Sequence, residues 1–246
     1  MENPASEQPG SFQWKRPDLV AFAAFFLATV LFVPIVSFLV LRVFNPKLQI
    51  EHLSGVQQIL IQAVLDFVLV AFIFLLVRSL HGRPVLVTLH ITRINTRFGR
   101  LIAGGIFLAL TVLVVSSVFP APSQSPIERL LTTRASVVVF VVFGIVLAPP
   151  LEEIIFRGFL FTALADVYGE RSAVPVTAFL FAGLHLSQLR GNWPAVVVIF
   201  FVGYVFTVVR RRSGSTTPSI IMHVAYNSMI FGISALATFF GRGSGR

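Results

Sequence analysis

Residues 135–161 read ASVVVFVVFGIVLAPPLEEIIFRGFLF. At about 1.5 Å per helical residue the run is long enough to cross roughly 30 Å of hydrocarbon, yet Glu152, Glu153 and Arg157 stand inside it. Charges at such depth are costly unless paired or hydrated, so they imply partners or a water-filled cavity. Glu153 and Arg157 are four residues apart and pair along one helix face. Glu152 points about 100° away from Glu153 on the same helix, which leaves it free for another task. The plain alternative makes all three a buried structural network.

Working outward, further apolar runs fall at Leu19–Val40, Ile59–Val77, Leu101–Phe119, Val174–Leu189, Trp193–Val209 and Ser219–Phe240. With Ala135–Phe161 they make about seven spans. A composition of 56% hydrophobic against 12% charged residues, with 26 Phe, departs from the balance of soluble proteins. The expected fold class is therefore all-α, a polytopic transmembrane helical bundle. Only Arg190-Gly191-Asn192 separates the fifth run from the sixth, so a shorter or partly re-entrant fifth element is the alternative to a full crossing. Cysteine is absent, which excludes disulfides and thiol chemistry. The net charge of +9 comes from Arg and Lys in short loops, with no basic face interleaved with aromatics. It fits positive-inside topology and no nucleic-acid partner.

Lys15 and Arg16 precede the first run, Arg78, Arg83, Arg93, Arg97 and Arg100 follow the second, and Arg210, Arg211 and Arg212 follow the sixth. Alternating spans put all three sets on one side. The expectation is a multi-pass protein of the cell membrane with a cytoplasmic N-terminus. Residues 1–18 read as a cytoplasmic tail and the first run as an anchor that stays on the chain. Residues 19–126 form N-terminal transmembrane helices with an interfacial segment at 79–100. The proline-rich stretch 119–126 is a loop. Residues 127–240 form a second transmembrane unit that holds the ionisable residues, and 241–246 a C-terminal tail.

Two more motifs accompany the carboxylates: Phe181-Ala-Gly-Leu-His185 and His223-Val-Ala-Tyr-Asn227. The four-residue spacing stacks His223 and Asn227 on one helix face. Either His alone is more often a hydrogen-bonded core residue than a catalyst. Counted at about 1.5 Å per residue from the cytoplasmic ends of their runs, however, Glu152, His185, His223 and Asn227 share one layer in the cytoplasmic half of the membrane. Gln58, Gln62 and Asp66 form an i, i+4, i+8 stripe on the second run. It is expected to face the bundle interior as a structural partner. Gly104, Gly105, Gly144 and Gly203 are expected to permit close helix packing.

In this order, Glu152-Glu153-x-x-x-Arg157, Phe181-x-x-x-His185 and His223-x-x-x-Asn227 resemble the motifs of the CPBP family. That family comprises type II CAAX prenyl proteases and bacteriocin-processing and Abi-type membrane proteins. The resemblance covers about Ala135 to Ser228. It implies an intramembrane endopeptidase acting in the bilayer on a membrane-associated or lipidated peptide, of which a prenylated CAAX-type substrate is one kind. By that resemblance Glu152 is the general base that activates water, His185 holds that water, and His223 and Asn227 stabilise the oxyanion. Glu153, Arg157 and Phe181 brace the site. These residue types suit the chemistry, since preorganised donors in a dry cavity stabilise developing negative charge. The resemblance leaves the cofactor open between none and zinc, for which Glu152, His185 and His223 would be the ligands. Two other classes compete: a non-catalytic immunity or scaffold protein of the same fold, and an ion-coupled transporter built on the same buried charges.

Overall fold

The computed structural model describes residues 12–94, 96–119, 131, 133–189 and 192–241, with the side chains of residues 187, 188 and 234–241 left aside. The loop read at 119–126, both terminal tails and residues 190 and 191 of the expected turn lie wholly or in part outside the described residues. Among the described residues the fold is helical throughout: α1 (Arg16–Phe44), α2 (Gly55–Leu80), α3 (Val85–Thr88), α4 (Phe98–Ser117), α5 (Arg134–Tyr168), α6 (Glu170–Leu184), α7 (Leu186–Leu189), α8 (Trp193–Ser213) and α9 (Thr217–Gly241).

The transmembrane bundle is as expected, and the count of about seven spans is not confirmed. Among the described residues five helices, α1, α2, α4, α5 and α8, are long and apolar enough to cross a membrane. Helix α9 adds 25 residues. The fifth expected run is built from α6, of 15 residues or about 22 Å, and the short α7 that follows directly after His185. Helix α5, with 35 residues, runs beyond the expected end at Phe161.

Large apolar side chains point outward from the bundle. Leu27, Phe32, Phe107, Phe179 and Phe201 are each more than half exposed, a surface that hydrocarbon solvates and water does not. Inside, α2 lies along α5. Ile59 and Ala63 cluster with Phe143 and Ala148, while Leu69, Val70 and Ile73 cluster with Leu151, Ile155 and Phe156. The basic loops also gather at one end. There the Trp14 amide donates to Asp166 at 2.9 Å and His81 pairs with Asp18 at 2.9 Å.

The segment 79–100, expected at the membrane interface, is docked at that same end through Leu89 and His90. Thr216 donates through its amide to the His90 carbonyl at 2.8 Å and through its hydroxyl to the Leu89 carbonyl at 2.8 Å. These bonds tie the loop to the start of α9. Burial, and then the charge of Arg210, hold the His90 imidazole below its usual pKa range.

Helices α4 and α9 pack closely along their length, and Gly105 permits it. A Cβ there would run into the Met222 carbonyl and stand 2.8 Å from Ala225 Cβ, whereas one at Gly104 meets only the end of the Met222 side chain at 3.5 Å. Gly105→Ala is therefore expected to cost about 1–3 kcal/mol by overpacking. Gly104→Ala should stay within about 0.5 kcal/mol of wild type. Thermal unfolding of both variants in detergent measures the difference.

Candidate active site

The site is prepared by a flaw in α5. Pro149 and Pro150 carry no amide hydrogen, and the helix widens ahead of them into a π turn over Val142–Leu147, where Ala148 N–H bonds the Phe143 carbonyl five residues back. The next bond in that register would join Pro149 to the Gly144 carbonyl, and proline has no hydrogen to give. Asn227 Nδ2 donates to the Gly144 carbonyl instead, at 2.7 Å. A second π turn, Ile154–Leu160, follows directly after the two glutamates.

Between the two π turns Glu153 is fully buried, and so is Arg157 one turn on. Glu153 Oε1 accepts from Arg157 Nη1 at 2.8 Å and from His223 Nδ1 at 2.9 Å. The guanidinium is satisfied on its other edges as well. Nη2 donates to the Gly203 carbonyl at 2.7 Å, and Nε to the Thr207 hydroxyl at 3.3 Å. The ring of Phe181 lies 4.6 Å from its central carbon, with Phe206 and Phe156 slightly farther. Glu153 Oε1 and all three guanidinium nitrogens thus meet partners, as an ion pair in a low-dielectric interior requires, while Glu153 Oε2 is buried with no hydrogen-bond partner among the described residues.

Because Glu153 already accepts from Arg157, His223 must donate through Nδ1, which leaves Nε2 as an acceptor. Nε2 lies 3.9 Å from Glu152 Oε2. Glu152 takes no part in the arginine cage, and its side chain keeps 24% of its surface exposed. His185 sits at the C-terminal cap of α6 and donates through Nδ1 to the Phe181 carbonyl at 2.8 Å. Its Nε2 is likewise left as an acceptor, and its ring lies 4.8 Å from that of Phe181. The structure thus assembles Glu152, Glu153, Arg157, His223 and Phe181 in direct contact. His185 joins through Phe181, and Asn227 one turn along α9. Among the described residues no group of three or more His, Asp or Glu side chains is gathered to hold a metal ion. As placed, Glu152, His185 and His223 do not fit zinc.

Several site residues escaped the sequence reading. Phe206 stacks 4.6 Å from the His223 ring, Thr207 holds Arg157, and Arg210 donates to the Arg157 carbonyl at 3.2 Å. Gly203, Phe206, Thr207 and Arg210 recur at i, i+3, i+4 and i+7, one stripe of α8. A buried Thr and Arg on an otherwise apolar stripe were the available signal. The i, i+4, i+8 stripe on α2 divides. Gln58 is exposed and its side chain turns back to the Leu53 carbonyl, whereas Gln62 Nε2 donates to the buried Asp66 at 2.9 Å.

Residues 134–229 match the family model of Rce1-like type II CAAX prenyl endopeptidases. This is the stretch, to within a residue at either end, over which the three motifs carry their resemblance. No curated protein and no solved structure matches the chain. The Rce1-like segment runs from the start of α5 into the middle of α9 and contains every member of the arginine cage.

Removing the guanidinium strands the buried Glu153. Arg157→Ala should therefore cost about 3–5 kcal/mol. Arg157→Lys should rescue little, because an ammonium cannot serve Glu153, Gly203 and Thr207 from one plane. Monodisperse yield and thermal stability in detergent check both variants.

Proposed function

We propose that the protein is an intramembrane endopeptidase in which Glu152 activates the water that attacks the scissile peptide carbonyl. The observation that carries this reading is the arrangement around His223. One ring nitrogen is anchored on the Glu153–Arg157 pair, and the other faces Glu152 across 3.9 Å, a separation that a single oxygen atom can touch from both sides. Glu152 takes the proton of that water as the carbon–oxygen bond forms and returns it to the departing amine as the carbon–nitrogen bond breaks. Asn227 keeps a second amide hydrogen beyond the one given to Gly144. That hydrogen is a donor for the oxyanion that forms on the scissile carbonyl. The Rce1-like match supports a peptidase of the CAAX type, with a lipidated peptide in the membrane as substrate.

The residues at the Arg210 end of the bundle would face the cytoplasm, since the basic loops gather there. The natural sequence contains no Cys, so single Cys substitutions report sidedness cleanly. Cysteines at Arg83 and Arg212 should resist a membrane-impermeant thiol reagent in intact cells, and one at Lys47 should react. Labelling of Arg212→Cys from outside would reverse the orientation.

The catalytic reading is tested with purified protein in liposomes, offered prenylated and unmodified peptides, with products read by mass spectrometry. Glu152→Gln keeps the side chain's shape and removes its basicity, so turnover should fall about 10²–10⁴-fold with folding intact. His223→Ala should abolish cleavage, and a chelator should leave the wild-type rate unchanged. Wild-type turnover by Glu152→Gln would refute Glu152 as the base. Solute flux without peptide products would favour a transporter.

A further inference from the structure

The segment 78–100 runs from the last turn of α2 into the first turn of α4. It carries Arg78, Arg83, Arg93, Arg97 and Arg100 and no Asp or Glu. All five arginines are exposed, and none is bonded to a carboxylate among the described residues. The acidic groups at this end of the bundle are committed elsewhere: Asp18 to His81, Glu170 to Arg211 and Asp166 to the Trp14 amide. The basic excess is left without a counter-charge among the described residues.

The same segment shows apolar surface. Leu80, Leu86, Val87 and Phe98 are each more than half exposed, and large apolar side chains interleaved with arginine mark a chain that lies between headgroups and hydrocarbon. A built turn holds them outward. Helix α3 ends at His90, which takes a left-handed conformation with φ 53°. The His90 amide bonds the Val87 carbonyl at 3.0 Å and the Ile91 amide the Leu86 carbonyl at 2.7 Å, the paired bonds of a Schellman cap. Glycine is usual at that position, and here His90 is held from outside. Its carbonyl accepts from the Thr216 amide at 2.8 Å and from the Ser215 hydroxyl at 3.2 Å, while the Thr92 carbonyl accepts from the Thr217 hydroxyl at 2.8 Å. Leu89 is fully buried and lies against Gly158 of α5, so Leu86 and Val87 are the residues of this turn presented to the surroundings.

We infer that the segment 78–100 is a docking surface for anionic phospholipid headgroups in the leaflet at this end of the bundle. The arginines take the phosphates, for which the planar guanidinium is suited, and Leu86, Val87 and Phe98 enter the acyl boundary beneath them. A soluble anion would satisfy the arginines and leave those apolar side chains in water, whereas a bilayer satisfies both. The surface does not depend on the catalytic reading of Glu152.

The test offers the purified protein in detergent phosphatidylglycerol and phosphatidylcholine of matched acyl chains, with bound lipid counted by native mass spectrometry. Phosphatidylglycerol should be retained in preference. Arg93→Gln and Arg97→Gln should each weaken that preference about fivefold, and Arg93→Lys should keep most of it. If the Gln variants do not insert into the membrane, the wild-type protein decides, because its preference should fade as salt is added. Equal retention of the two lipids at low salt would overturn the proposal and leave the arginines to an acidic protein surface. Glycerol phosphate should not displace the bound lipid. Displacement would make this a site for soluble anions and overturn the assignment to a bilayer. Hydrogen exchange in nanodiscs locates the contact. The amides of residues 85–94 should exchange more slowly in phosphatidylglycerol than in phosphatidylcholine, and protection confined to other loops would overturn the placement on this segment.

Discussion

The structure depends on keeping one arginine charged in the middle of a membrane protein. Arg157 and Glu153 have no exposed surface, and the cost of burying them is offset by the partners that their polar atoms find. Those partners come from three helices. Glu153 is on α5, the Gly203 carbonyl and Thr207 are on α8, and His223 is on α9. The pair therefore fixes how α5, α8 and α9 sit against one another, and the imidazole that faces Glu152 is oriented as a by-product. Gly203 serves twice. Its carbonyl receives the arginine, and its lack of a side chain admits Phe181, whose ring would stand 2.9 Å from a Cβ there.

Much of this was legible because helix geometry turns sequence spacing into contact. The i, i+4 spacing of Glu153 with Arg157, and the 100° offset of Glu152, gave the division between a braced carboxylate and a free one. The structure shows both. The motifs do come together, since His223 touches Glu153 and stands near Phe181. The ruler was nevertheless wrong for α5, which continues past Phe161 to Tyr168. Hydropathy marks where a helix leaves hydrocarbon and is silent about where it ends in polar surroundings.

What the sequence hid was backbone. The acceptors for Arg157 Nη2 and Asn227 are carbonyl oxygens of glycines, which no motif names. The π turns are invisible to periodicity, although Pro149 and Pro150 mark where an ordinary helix must yield. Asp66 was visible as a polar residue in an apolar run and was read as a partner for its neighbours, which it is for Gln62.

The two π turns set a phase along α5. Each inserts an extra residue into the helical count, and each residue is worth about 100° of rotation about the axis. Glu152 and Glu153 lie between the turns and Arg157 within the second, so the side chains of this stretch are indexed against the helix before it. Asn227, bound to Gly144 inside the first turn, reads the phase at one place, and His223, bound to Glu153, reads it at the other. They sit one turn apart on α9, a helix of regular pitch, so α9 acts as a gauge. A single-residue insertion in Val142–Leu147, where the helix already carries its extra residue, would leave the composition of α5 almost untouched while rotating its carboxylates out of step with that gauge. In this stretch the chain tolerates substitutions far more readily than changes in length.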